Sequence, residues 1–314
     1  MHHIPGHHHI SMLTKNAPLN HEFYQKKLGL RRVKKTVNQD NPSMYHLFYG
    51  DLTGSAGTEL SFFEMPATGR TVRGTNAITQ IGLLVPSFES LKYWKKRFEQ
   101  LRVTHSDITM YAGREALPFE DPEGLRLILI NHNGAEVPAD WAAWEGSPAD
   151  QAHRILGMGT VEITVRHLDK MAATLMKVLG YVEVFRSEHE AIYQSVEGQA
   201  LGEIVVKEQD GPNERPGRGS VHHLAIRVND EEELAYWNEA VSQHGFQSTG
   251  IIDRFYFKSL YFRETNGILF EMATDGPGFT ADSTVEELGR QLDLPPFLEA
   301  KRAEIEAGLT PIDE

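Results

Sequence analysis

At 314 residues the chain is long enough for two ordinary domains, each with its own core, and a hydrophobic content of 40% is that of a soluble globular protein. A formal net charge of −13 argues against nucleic acid or an anionic membrane as partner, because both reward clustered Lys and Arg and the basic runs here, such as Arg31 to Lys35, are short. The absence of cysteine excludes disulfides and thiolate ligands and leaves His, Asp and Glu as metal donors; with no apolar run near the roughly 18 residues of a membrane span and no export signal, the expected compartment is the cytoplasm.

The first patterned segment is Gly6–Leu13, GHHHISML. Five histidines fall within the first nine residues. His2 and His3 are compatible with an expression-tag scar, but His8 and His9 run on into Ile10, Ser11 and Met12 in register with a stronger copy of the stretch, Gly219–Val228, GSVHHLAIRV. Four strand openings align in this way: His9 in HISMLT, Gln80 in QIGLLV, Thr160 in TVEITV and His223 in HLAIRV. An amphipathic helix follows each one, NHEFYQKKLGL, FESLKYWKKRFEQLRV, LDKMAATLMKVLGY and EEELAYWNEAVSQHGF. Gly29, Gly180 and Gly245 stand where a left-handed cap ends a helix, and Arg102 holds that place in the second copy.

Strand-like segments follow each helix, and their last turn recurs as Asp51–Gly54 DLTG, Asp121–Gly124 DPEG and Glu264–Gly267 ETNG, with Val196–Gly198 as the turn of a shorter third copy. The same 44-residue spacing separates Gln80 from Gly124 and His223 from Gly267. The expectation is an α+β fold of four units, each a strand, a helix and three strands, paired into two open cups. Residues 1–133 form units one and two, 134–156 a linker packed by Trp141 and Trp144, 157–276 units three and four, and 277–314 a tail that wraps the body.

Period-two alternation puts His223, Ala225 and Arg227 on one face of their strand and Leu224, Ile226 and Val228 on the other. A lone acid, Glu271, sits in the apolar run Gly267–Ala273, GILFEMA, where a charge is costly unless paired or coordinated. His9, His223 and Glu271 are therefore expected to hold one divalent metal. The other copies carry Gln80 and Thr160 at the histidine position, with Ile128 and Val206 near the glutamate position. Glu64 is read as the first copy's counterpart of Glu271. His7, His46, His105, His132, His153 and His244 are left as structural or exposed.

With the paired histidines, YHLFYGD at Tyr45–Asp51 and GILFEMATDGPGF at Gly267–Phe279, nearly the whole chain resembles the vicinal oxygen chelate superfamily, and within it the iron-dependent ring-cleaving dioxygenases of the hydroquinone-cleaving type. The resemblance implies βαβββ modules paired into cups, a metal on His9, His223 and Glu271, and His8 and His222 beside it as acid and base for the substrate proton. It places Arg254 and Tyr261 on strands next to the substrate and puts Ser11 where relatives carry threonine. Two histidines and a carboxylate are the facial triad of non-haem Fe(II) oxygenases, so the implied cofactor is Fe(II) and the implied partners are an aromatic diol or hydroquinone and O2, with a homo-oligomer left open. The rival readings are a glyoxalase-like isomerase with Glu64 as fourth ligand, and a non-catalytic protein that sequesters an aromatic or an antibiotic. Because one metal draws on modules one and four, those modules are expected to pair. Modules two and three are then left as a side-chain-filled scaffold cup, with the linker crossing between cups.

Overall fold

The computed structural model describes residues 2–312. Module one comprises β1 (His7–Thr14), α1 (Ala17–His21, continuing as a π-helical turn over Glu22–Lys27), β2 (Arg31–Val37), β3 (Tyr45–Gly50) and β4 (Glu59–Glu64). Module two comprises β5 (Ala77–Val85), α2 (Phe88–Leu101), β6 (Thr109–Tyr111), β7 (Arg114–Glu120) and β8 (Arg126–Asn131). Module three has β9 (Gly157–Val165), α3 (Leu168–Ala173, with a π-helical turn over Thr174–Val178), β10 (Val182–Arg186), β11 (Glu190–Gln194) and β12 (Ile204–Glu208). Module four has β13 (Ser220–Val228), α4 (Glu231–Gln243), β14 (Ile252–Asp253), β15 (Phe257–Arg263) and β16 (Leu269–Pro277).

The helices start and stop for local reasons. Asn16, Ser87 and Asp230 each accept a hydrogen bond from the main-chain N–H three residues on, which caps α1, α2 and α4. Leu91, Trp94 and Phe98 bury the inner face of α2 at helical spacing. At its end Arg102 itself adopts the left-handed conformation (φ 55°) that glycine takes in the other copies. Its cost, about 1 kcal/mol, is met by the N–H of Val103 closing on the Phe98 carbonyl and by burial of the Val103 side chain.

Two eight-stranded sheets result, in the orders β14-β15-β16-β13-β1-β4-β3-β2 and β10-β11-β12-β9-β5-β8-β7-β6. Module four thus joins module one through antiparallel β13 and β1, and module three joins module two through antiparallel β9 and β5. Ile10, Met12, Leu224 and Ile226 from the first sheet share one buried cluster with Ile81, Leu83, Val161 and Ile163 from the second, each worth about 1.5–3 kcal/mol of burial. The opposite face of each sheet lines a cup.

The linker does not cross between cups. β8 and β9 flank β5 in the same sheet, so residues 134–155 only carry the chain past β5. Trp141 lies over Gly57 and Gly157, where a Cβ would come within 2.7 and 2.4 Å of its ring, and donates its indole N–H to the Ala56 carbonyl. The crossings are made instead by residues 65–76, after β4, and 209–219, after β12. These two run alongside each other, with Val72 and Arg215 exchanging both main-chain hydrogen bonds and Thr75 bonded to Pro212 and Glu214. They are close enough that a Cβ on Gly74 would meet the Pro212 carbonyl at 2.4 Å.

The cup of modules two and three is occupied by its own side chains. Leu84, Ala116, Ile128 and Ile130 form an apolar cluster, flanked by the ion pairs Lys207–Glu162 (2.6 Å) and Arg114–Glu203 (2.8 Å). Gly82 and Ile128 stand in register there, as do Glu162 and Val205, so the position equivalent to Glu271 in module three is Val205, not Val206.

The tail closes the far end of the other cup and covers the edge strand β2. Lys34, with no solvent exposure, bonds Asp282 and Asp293 at 2.8 Å each, and the Asp293 N–H reaches the Lys35 carbonyl. Phe279 packs on Phe48 and Tyr256. Replacing Lys34 with Met leaves the buried Asp293 without its cation, and the expected result is a loss of about 3 kcal/mol in stability and faster proteolysis within residues 280–295. Denaturant unfolding and limited proteolysis measure both; an unchanged midpoint would mean that apolar contacts alone hold the tail.

Candidate metal centre

His9 and His223 do not stand at strand heads but inside the central pair of the sheet, opposite Ala225 and Ser11 respectively. A bulge between His7 and His9 shifts the register of β1 and turns two consecutive imidazoles inward, His8 against His9 with ring centroids 5.1 Å apart. Glu271 arrives on β16, level with Ala225. The three candidate ligand atoms converge: Glu271 Oε2 lies 2.8 Å from His223 Nε2 and 3.2 Å from His9 Nε2, and the two nitrogens are 3.4 Å apart. Neighbouring ligands of an octahedral ion with bonds of about 2.1 Å stand about 3.0 Å apart, so the set has the spacing of one face of such an ion.

Hydrogen bonding decides which atoms carry protons. The Thr274 carbonyl can only accept, so His8, 3.1 Å from it through Nε2, carries its proton there and offers a lone pair at Nδ1. That lone pair takes the Nδ1–H of His9 at 3.0 Å, which leaves His9 Nε2 bare toward Glu271. His222 stands in the same relation to His223, with its Nδ1 2.7 Å from the other Nδ1. Glu271 Oε1 accepts from the Ser259 hydroxyl, while Oε2 is buried without a hydrogen-bond donor.

Burial alone would raise the Glu271 carboxyl, yet the neighbouring His9 and His223 hold it well below the usual carboxylate range. Burial lowers His223, keeping that imidazole neutral. An ionised carboxylate and bare imidazole nitrogens facing one point, all but sealed from solvent, form a donor set that a divalent cation fits. A second grouping, His8, His9 and Glu59, shares His9 but meets its protonated side.

Above the three atoms lies a cleft of about 520 Å³ with aromatic walls: Phe48, Phe63, Tyr256, Phe257 and Tyr261. Tyr261 faces Glu271 across the β15–β16 pair. Burial, reinforced by Glu271, raises its phenol so that it stays protonated and able to donate. Arg254 lies not on a strand but in the turn between β14 and β15, over the Tyr261 ring at 5.7 Å and 3.1 Å from Asp40 at the cleft mouth.

Ser11 also lines the cleft, its hydroxyl 2.6 Å from that of Ser61. His8 and His222 do not line it; His8 is buried behind His9, and His222 is an exposed residue whose ring lies against Phe63. Glu64 is not the counterpart of Glu271. In the register of β1 and β4 that position is Ser61, level with Ser11, whereas Glu64 pairs with Thr14 at the strand end and accepts the Ala17 N–H at 2.8 Å.

His46, read from the sequence as structural, lines the cleft between Phe48 and Phe63 with Nε2 3.1 Å from the Ser61 hydroxyl. Ser259, which aims Glu271, was also missed. Period two from Tyr261 along Phe257–Arg263 puts it on the same face, and the alternation His46, Phe48 in YHLFYGD carries the same signal.

Comparison with known proteins agrees with this architecture. The profile of the Glyoxalase/Bleomycin resistance protein/Dioxygenase superfamily matches residues 6–129 and 157–272. The chain is 50% identical over 315 residues to the "Putative ring-cleaving dioxygenase MhqA" of Bacillus subtilis, covering 98% of this chain and 99% of that one. It is 28% identical over 313 residues to the chlorohydroquinone/hydroquinone 1,2-dioxygenase of Sphingobium indicum, covering 96% and 95%. A crystal structure of a "putative dioxygenase" from Bacillus subtilis superposes with a TM-score of 0.91 at 34% identity, covering 100% of this chain and 99% of that one.

The His8 relay carries its own test. His8→Phe keeps the ring volume but removes the acceptor that fixes His9, so divalent-metal affinity measured by competition with a chelator should fall by about tenfold to a hundredfold with the fold intact by circular dichroism. Unaltered affinity would show that His9 is oriented by its strand alone.

Proposed function

Because the chain belongs to the glyoxalase/bleomycin resistance protein/dioxygenase superfamily, we propose that it is an Fe(II)-dependent ring-cleaving dioxygenase acting on a hydroquinone or catechol. The observation that carries the reading is the convergence of His9 Nε2, His223 Nε2 and Glu271 Oε2 at the floor of an aromatic-walled cleft. Those three residues would hold the metal, which when bound supplies the Lewis acidity and one-electron chemistry that bring a diol and O2 to react.

The rest follows from the chain's own groups. A flat ring fits between the walls of Phe48, Phe63 and Phe257. Burial excludes water and strengthens each polar contact inside. Tyr261, a protonated phenol beside Glu271, donates to substrate oxygen as negative charge grows there, and Arg254 supplies a charged donor from the cleft mouth. Ser11 and His46 meet at Ser61, which places a hydroxyl and an imidazole on the cleft wall for a second substrate oxygen. His8 and His222 hold the outer nitrogens of the two ligand histidines, so their part is to orient them and not to exchange protons with substrate directly.

The glyoxalase-like reading needs a fourth protein ligand, and Glu64 is committed to the Ala17 N–H. A sequestering protein without turnover has no use for the buried donor set.

Anaerobic loading with Fe(II), followed by oxygen uptake over a panel of hydroquinones and catechols, tests the proposal. Stoichiometric uptake with a ring-opened product is expected; metal-dependent isomerisation without uptake would overturn the reading. His223→Ala should lose both iron and activity. Tyr261→Phe should keep iron while turnover falls by about tenfold or more, and full activity in that variant would reduce Tyr261 to packing.

A further inference from the structure

A hydroquinone or catechol brings two hydroxyl protons into the cleft, and they need an exit. Tyr261 and Arg254 are donors there, Asp40 is paired with Arg254 at 3.1 Å, and His8 and His222 are bonded to the outer nitrogens of His9 and His223. A different set of groups crosses β1, β4 and β3. Ser11 is level with Ser61 in the parallel β1–β4 pair, and their hydroxyls are 2.6 Å apart. Ser61 Oγ lies in turn 3.1 Å from Nε2 of His46, which stands diagonal to it across the antiparallel β3–β4 pair. Both serines are without solvent exposure. Ser61 does not reach the cleft, whereas Ser11 and His46 both line it. The row therefore leaves the cleft at one end and returns to it at the other.

The imidazole of His46 is held by Phe48 and Phe63, each with its ring centroid 4.1 Å away, and its Nδ1 has no hydrogen-bond partner among the described residues. Burial pushes its pKa well below the ordinary imidazole value, so the ring is neutral, with one N–H and one bare nitrogen. A hydroxyl both donates and accepts, and a neutral imidazole does each at a different nitrogen. The row consequently has two self-consistent states. In one, Ser11 donates to Ser61, Ser61 donates to His46 Nε2, and the imidazole proton sits on Nδ1. In the other every bond is reversed: His46 Nε2–H donates to Ser61, Ser61 donates to Ser11, and Ser11 turns its hydrogen to the cleft.

We propose that Ser11, Ser61 and His46 form a proton relay that takes a hydroxyl proton from the bound ring at Ser11 and releases another at His46 Nδ1; it rests on the ring-cleaving reading. The substrate O–H bond breaks as its proton joins Ser11 Oγ. The Ser11 proton passes to Ser61, the Ser61 proton passes to His46 Nε2, and Nδ1 gives its own to a second oxygen in the cleft, water included. One proton enters and one leaves, so no member of the row changes charge, and a buried imidazole that resists protonation suits the task. Water entering the emptied cleft returns the row to its first state.

Ser61→Ala cuts the row at its middle without altering the cleft wall or a candidate metal ligand, and His46→Gln keeps a hydrogen-bonding side chain that cannot pass a proton between two nitrogens. In Fe(II)-loaded protein assayed by oxygen uptake, both variants should keep the metal affinity and KM of wild type while kcat falls by about a hundredfold or more. A purely structural role would instead move metal affinity or KM. The second readout is independent of turnover. In Zn(II)-loaded protein, anaerobic addition of hydroquinone should move the His46 proton from Nδ1 to Nε2, read from the ring-nitrogen resonances, and Ser61→Ala should abolish that change. A wild-type kcat in Ser61→Ala, or a His46 tautomer that ignores hydroquinone, overturns the relay and leaves the ring-cleaving reading standing. No oxygen uptake by wild type with any diol overturns that reading, and the relay with it.

Discussion

The antiparallel pairing of β1 with β13 is the contact on which everything else rests. It joins segments 214 residues apart in sequence and brings the two histidine strands to the centre of one sheet. The bulge in β1 then lets adjacent imidazoles turn the same way. If the register slipped by one residue, His9 and His223 would point into the shared apolar cluster and Ile10 and Leu224 into the cup. The same apolar face that packs the two sheets together therefore fixes the register of the candidate metal-ligating atoms.

The donor set is expensive to build, because Glu271 is an ionised group with no solvent exposure. The Ser259 hydroxyl and the Tyr261 phenol offset part of that cost, and a bound cation would offset the rest. The companion cup shows the alternative: Gly82, Ile128 and Val205 stand where ligands or their partners would, and its remaining charges are cancelled in pairs. Two cups of one fold thus differ in how buried polarity is handled. One closes on itself, and the other leaves three lone pairs converging.

Much of this was legible in the sequence, because repeat spacing and strand periodicity are local signals. The histidine pairs in matching repeats and the lone acid Glu271 in an apolar run pointed to the site, and the sharing of one site by modules one and four pointed to their pairing. Signals that depend on register or on distant loops were not legible. Glu64 looks like a counterpart of Glu271 in the string FFEM, but only the β1–β4 pairing shows that Ser61 holds that place. Arg254 reads as a strand residue and lies in a turn. The alternation in YHLFYGD puts His46 on one face with Phe48, but that this face is the cleft wall follows only from the pairing of β3 with β4. The linker was expected to make the crossing because it is long, whereas chain geometry gives that task to 65–76 and 209–219.

The two side-by-side crossovers set an order in time. Modules two and three are consecutive, so their cup can close as soon as the chain through β12 is available. Module one, although made first, must wait unpaired along β1 until β13 has been synthesised. Such a nested arrangement folds from the middle outward, with its longest loop closed last. Until then β1 is an open strand edge carrying three histidines, the part of the nascent chain most in need of shielding from other chains. The candidate metal-ligating atoms are the last to assemble, so an incomplete chain cannot present them to a metal as a set.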